Sequence, residues 1–196
     1  MQKTMVSRKI LGIIFDLGRV LIDFDHHLAA RRAVEFSDKS EEEIFNLFFD
    51  SDLTGLFEEG KLSPSEFFLE AKQRLNLRLT YEQFLPIWNE IFYFTEENKK
   101  VLDLANLLKK RFRILLLSNI NILHFEYLRQ NFSFIFIPFP QIVLSFKVGV
   151  RKPHPLIYQI AQENLDLQMQ EILEIDDRKE LSEEAKNLEL QVHHFR

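Results

Sequence analysis

The stretch IIFDLGRVL, residues 13–21, decides the fold. It is a short apolar run that breaks on a carboxylate, Asp16, just before Gly18. The same pattern returns near the C-terminus, where ILEIDD (172–177) stops on Asp176 and Asp177. Between the two, RILLLSN (113–119) ends in Ser118 and Asn119. Short continuous apolar runs are the signature of strands buried on both faces of a parallel sheet. In open parallel sheets, ligands bind outside the carboxyl ends of the strands. Three strands therefore deliver acids and small polar groups to one edge.

Working outward, strand and helix patterns alternate over most of the chain. The first strand is expected at Ile10–Asp16, after a polar extension over residues 1–9. RILLLS is a second strand, followed by a helix in NILHFEYLRQNF. FIFIPFPQIVLS holds strand material interrupted by Pro138 and Pro140, with a clear strand at Ile142–Ser145. A helix from Pro153 to about Asn164, a strand in ILEID, a helix over Leu181–Leu188 and a last strand in QVHHF complete the series. This alternation indicates an α/β fold, a Rossmann-like parallel sheet with helices on both faces.

One block interrupts it. From Asp23 to about Phe94 the pattern is helical. Capping boxes open helices at Ser40–Glu43, at Ser63–Glu66 with Pro64 in the first helical position, and at Thr80–Gln83. Pro86 lies inside the third run, where a kink or break is expected. Thr95 then starts a helix that returns to the alternating pattern and runs to about Lys110. Residues 1–22 and 95–196 thus form the expected core and 23–94 an inserted small helical subdomain, with crossings near 22–25 and 93–96.

Composition narrows the function classes. The 196 residues suffice for one core with an insert, and 46% hydrophobic and 28% charged residues are ordinary for a globular protein. The net charge of −5 comes with interspersed signs, so no basic stripe points to nucleic acid. No run approaches membrane-span length, and MQKTMVSRK lacks the apolar stretch of a signal peptide, so no membrane association is expected. Cysteine is absent, which excludes disulfides, zinc-thiolate sites and cysteine nucleophiles and fits a cytoplasmic protein. Twenty phenylalanines are read as core filling.

The residues at the strand ends carry the chemistry. Asp16 suits a nucleophile or a metal ligand, and equally a helix cap or loop acid. The adjacent acids Asp176 and Asp177 repel one another unless a cation or a lysine lies between them, and hard oxygen ligands favour Mg²⁺; a solvated turn is the alternative. Ser118 and Asn119 offer a hydroxyl, an amide and backbone N–H groups to an anion, or simply cap the next helix. Lys152, in GVRKPHP, can neutralise an anion or the surrounding acids, although an isolated lysine is more often a surface residue. His26-His27 offers a weak metal-binding pair, and His193-His194 alternate faces of a terminal strand without need of a function.

In this order, FDLGRVL, LLLSN, GVRKPHPLIY and IDDRKELSEEAKNL resemble the four motifs of the haloacid dehalogenase superfamily, and the match spans essentially the whole chain. The helical block sits where one class of that family inserts a cap. The resemblance is nearest to phosphatases of small phosphometabolites, including sugar phosphates. It implies that Asp16 attacks phosphorus and forms an aspartyl-phosphate. Mg²⁺ is then held by Asp16, the Gly18 carbonyl and Asp176 or Asp177. Ser118, Asn119 and Arg19 contact the phosphate or substrate, and Lys152 screens the charge. The expected partner is a small phosphorylated molecule. Phosphoryl transfer needs positioning and charge neutralisation above all, which such a set supplies. The sequence departs from the family at Gly18, where many of its phosphatases carry a second aspartate for proton transfer, and at His154, where aspartate is usual. Asp23 and Asp25 are nearby substitutes as an acid; glycine at 18 is also explained by a positive φ. A non-catalytic binding protein is the alternative these departures leave open. A 2-haloacid dehalogenase is a further one, disfavoured by the acid pair. Oligomeric state is not legible.

Overall fold

The computed structural model describes residues 9–196; the rest of the expected polar extension lies outside the described residues. Five parallel strands form one sheet: β1 (Gly12–Phe15), β4 (Arg113–Ser118), β5 (Gln141–Leu144), β6 (Ile172–Asp176) and β7 (Gln191–His194), in the order β5-β4-β1-β6-β7. A two-stranded antiparallel ribbon pairs β2 (Asp23–Phe24) with β3 (Phe92–Tyr93). Between these two short strands lie helices α1 (His26–Val34), α2 (Glu41–Phe49), α3 (Asp52–Glu58), α4 (Pro64–Arg74) and α5 (Tyr81–Asn89). The rest of the chain adds α6 (Glu96–Leu108), α7 (Ile122–Asn131), a short α8 (Ser145–Val148), α9 (Pro155–Leu165) and α10 (Lys179–Asn187). No helix among the described residues is long and apolar enough to cross a membrane.

The period-2 alternation of the strands sets the layers. Ile13, Phe15, Ile114 and Leu116 pack with Leu102, Ala105, Phe125 and Leu128 of α6 and α7 on one face. Ile14, Leu115 and Leu117 pack with Ile157, Tyr158, Ala161 and Ala185 of α9 and α10 on the other. The helical block has a separate core around Trp88, Phe48, Phe57, Phe67 and Phe84. Its capping boxes form at Ser40, Ser63 and Thr80, each satisfying two otherwise orphaned N–H groups. Eight of the twenty phenylalanines are buried and fill two cores, and four others face the cleft described below.

The structure differs from the sequence reading at four places. Helix α5 passes through Pro86 without a break; the proline forgoes one bond, to the carbonyl of exposed Glu82 in the first turn. Ser133–Phe136 is a 3₁₀ turn rather than strand. Strand β5 ends one residue early, because Ser145 turns inward and begins α8. Helices α1 and α3, capped by Asp25 and Ser51, had no capping box to announce them.

His124 joins the block to the sheet layers. Its Nε2 lies 3.0 Å from the Trp88 carbonyl and its ring stacks on the indole at 4.8 Å. Burial, and next to it His26, push its pKa down to about 3. Below pH 6.5 the unfolded chain takes a proton that the folded one refuses, so stability is lost as pH falls from 6.5 towards 3. In denaturant titrations across pH 7 to 4.5, His124→Phe should show a flatter fall in stability than wild type, by up to about 1.4 kcal/mol per pH unit.

Candidate active site

The parallel register brings the strand ends together. Phe15 pairs with Leu116 on one side and Ile175 on the other, and the Asp16 amide donates to the Ile175 carbonyl at 2.9 Å. Asp16, Ser118 and Asp176 therefore emerge at the same edge. At their centre is Lys152, only 2% exposed. Its Nζ donates to Asp16 Oδ1 at 2.8 Å and to Asp176 Oδ2 at 2.5 Å. The lysine is held by its backbone: Asn119 Nδ2 donates to the Lys152 carbonyl at 2.9 Å, and the Lys152 amide donates to Asn119 Oδ1 at 2.7 Å. Both ends of the Asn119 amide are thus engaged with Lys152. What Asn119 leaves for an anion is backbone.

A cleft of about 450 Å³ opens over this edge. Asp16, Gly18, Arg19, Ser118, Asn119, Lys152 and Asp177 all line it. Asp176 does not. It is fully buried, with Oδ2 on Lys152 and Oδ1 accepting the Arg178 amide at 2.8 Å. Asp177 is half-buried and held from behind, where His194 Nε2 meets its carbonyl at 2.8 Å.

Burial raises Asp16 to about 6; Lys152 opposes the shift, and Asp176 and Asp177 add to it. Asp177 is also raised, by burial and then by Asp176. Lys152 is raised despite its burial, because Asp16, Asp176 and Glu174 surround it. Glu174, buried without a hydrogen-bond partner, is pushed up to about 8 by burial. Asp16, Asp176 and Asp177 thus face one buried lysine, and the excess negative charge suits a dication. Among the described residues no three His, Asp or Glu side chains form a metal cage. At the strand ends the cleft instead presents the two carboxylates Asp16 and Asp177, and one or two carboxylates are what Mg²⁺ ordinarily takes.

Gly18 has a steric explanation. It is not in the left-handed region, contrary to the positive-φ reading; its neighbour Arg19 is, at φ 56°. A Cβ on Gly18 would stand 2.8 Å from Cε1 of Phe24, whose ring fills the place of an acidic side chain. Asp25 caps α1 and pairs with Arg31 at 2.8 Å, and Asp23 accepts from Thr95; neither lines the cleft. His154 caps α9, its Nδ1 accepting the Leu156 amide. His27 stacks on Phe45 and meets Glu41, while His26 lies between Phe24 and Phe49.

Several site residues escaped the sequence reading. Ser145 Oγ bonds both the amide and the carbonyl of Ile120, tying the loop after β4 to β5. Arg151 reaches from the residue before Lys152 to Glu58 of α3, at 3.3 Å. Its guanidinium lies against Gly55, where a Cβ would meet it at 2.9 Å. Beside them the chain at Gly60 (φ +66°) runs so close to the Phe146 carbonyl that only glycine fits. These contacts join segments far apart in sequence, and no local pattern signals them.

No family model matches the chain. It is 27% identical over 173 residues to a D-ribitol-5-phosphate phosphatase of Bacteroides thetaiotaomicron, covering 86% of this chain and 83% of the relative. A HAD family enzyme of the same species, crystallised with magnesium and inorganic phosphate, superposes with a TM-score of 0.82 at 23% identity, over 95% of this chain and 94% of that one. This is the haloacid dehalogenase (HAD) superfamily fold. A predicted HAD-like family hydrolase of Porphyromonas gingivalis is also similar, with a TM-score of 0.78 at 26% identity, over 95% and 91% of the two chains.

Two outcomes follow from this HAD-fold site. Lys152→Met leaves two buried carboxylates uncompensated and should cost about 3–5 kcal/mol at pH 7. The loss should shrink as pH falls towards 4 and the carboxylates take protons; urea titration at both pH values measures it. Gly18→Asp should cost about 1–3 kcal/mol by overpacking against Phe24. Adding Phe24→Leu should recover most of that, a non-additivity that a double-mutant cycle reads directly.

Proposed function

We propose that the protein is a Mg²⁺-dependent phosphatase of a small phosphorylated metabolite that works through an aspartyl-phosphate on Asp16. The observation that supports this most is the buried lysine shared by Asp16 and Asp176 beneath a cleft that also presents Asp177. The similarity to a D-ribitol-5-phosphate phosphatase favours phosphate monoesters as the substrate class.

In this reading Asp16 is the nucleophile, and Lys152 keeps it placed and ionised. Asp16, the Gly18 carbonyl and Asp177 would hold Mg²⁺, which supplies charge neutralisation at the phosphoryl oxygens. Asp176 is then a positioning residue, since both of its oxygens already serve Lys152 and the Arg178 amide. Ser118, the backbone at Asn119 and Arg19, which all line the cleft, would contact the phosphate or the substrate. We read residues 23–94 as a cap that shields the site from water, with 1–22 and 95–196 as the core. Asp177 in the cleft disfavours the dehalogenase reading, because halide displacement has no use for a cation there.

Calorimetry should show Mg²⁺ binding to the wild type and none to Asp16→Asn or Asp177→Asn. The wild type should hydrolyse p-nitrophenyl phosphate with Mg²⁺ and not with chelator, and Asp16→Asn should lose at least about 10³-fold in kcat. Mg²⁺ and phosphate binding without turnover would support the non-catalytic alternative instead.

A further inference from the structure

One wall of the cleft is built of rings. Phe24, His26, Phe45, Phe49 and Phe92 all line it, and each is only partly buried. Three of them belong to one continuous stack. The Arg19 guanidinium lies 5.1 Å over Phe24. Phe24 stacks on His26 at 4.4 Å, and His26 on Phe49 at 4.0 Å with the planes 4° apart. Phe49 stacks in turn on Trp88 at 5.1 Å. His26 is sandwiched between its two neighbours, and Phe24 and Phe49 each give one face to it and pack a second planar group as well. The stack therefore meets the cleft largely by its ring edges.

Ring edges carry the positive end of the aromatic quadrupole, and their preferred partner is the face of another ring. A hydroxyl-rich chain against such a wall would leave its polar groups unpaired, which is costly in a closed site. Besides Asp177, the acids lining the cleft beyond Asp16 are Asp50, which is exposed, and Glu58, which is already paired with Arg151. A second feature points the same way. The position beside the nucleophile that would carry a proton donor is Gly18, and the Phe24 ring occupies its space. No side chain at that position can hand a proton to the leaving group, which suits a phenolic oxygen far better than an alkoxide.

We propose that the cleft selects phosphate monoesters whose leaving group carries an aromatic or heteroaromatic ring, seated face-on against the edges of Phe24, His26 and Phe49. This rests on the phosphatase reading above and narrows its substrate. An Asp16 oxygen forms a bond to phosphorus as the bond from phosphorus to the ring oxygen breaks. Both electrons of the broken bond stay on the phenolate, which takes its proton from solvent; water then cleaves the aspartyl-phosphate to phosphate and free Asp16. The volume of about 450 Å³ accommodates a phosphoryl group and a ring system together.

Recognition and turnover can be tested separately. In Mg²⁺ buffer, benzylphosphonate should bind at least tenfold more tightly by calorimetry than propylphosphonate or 2,3-dihydroxypropylphosphonate. Phe45→Leu and Phe49→Leu, each checked for folding by circular dichroism, should narrow that ratio severalfold. In turnover, kcat/KM should fall from phenyl phosphate through benzyl phosphate to ribitol 5-phosphate, with acetyl phosphate as the good leaving group that has no ring. Equal binding of the three phosphonates, tighter binding of the dihydroxypropyl compound, or no binding of any of them overturns the proposal. If acetyl and ribitol phosphates are still hydrolysed in that case, the phosphatase reading survives its failure. A benzyl preference without any turnover leaves the ring recognition standing and removes the phosphatase reading.

Discussion

The site depends on one buried cation. Lys152 Nζ lies between carboxylates delivered by β1 and β6, and its backbone is clasped by an asparagine that follows β4. Removing an ammonium and two carboxylates from water costs several kcal/mol per ion, and their mutual attraction repays this only with close geometry. The sheet register supplies that geometry. A shift of one residue in β1 or β6 would turn Asp16 or Asp176 to the opposite face. The strands, the loop after β4 and the Lys152 segment are thus mutually constrained by electrostatics as well as by packing.

The same constraint divides the labour between the adjacent acids. Asp176 is committed to Lys152 and to the Arg178 amide, which leaves Asp177 as the carboxylate turned to the cleft. Two neighbouring residues of one type acquire different chemistry because strand β6 ends between them: one belongs to the buried strand end, the other to the loop.

Much of the sheet was legible because it is local. A short apolar run of four to six residues that stops on polar residues reads as a strand buried on both faces, and β1, β4 and β6 are such runs. The helices with capping boxes were legible for the same reason, since Ser40, Ser63 and Thr80 each bond three residues away. The end of β5 was misread by one residue because Ser145 is claimed by Ile120, twenty-five positions earlier. Asp16, Lys152 and Asp177 stood out by type and place. The grip of Asn119 on Lys152, the hold of His194 on the Asp177 carbonyl and the bridge from Arg151 to Glu58 did not, because each is a contact between distant segments.

The aromatic stack shows how such distant contacts shape a site. Phe24 and His26 come from the short ribbon and the start of α1, Phe49 from α2, Trp88 from α5, and the stack ends on His124 of α7. It begins at Arg19, in the left-handed conformation one residue before Val20 re-enters the core. A non-glycine residue held there carries of order 1–3 kcal/mol of strain, which the surroundings must sustain. The guanidinium over Phe24 and the Arg19 amide on the Ile22 carbonyl do so. Placing Arg19 in this way sets Phe24 over Gly18, so the ring that packs against the helical block is also the group that keeps a side chain from standing beside Asp16. Packing between the helical block and the sheet and the shape of the cleft beside Asp16 are for that reason one problem in this protein, solved by the same side chain.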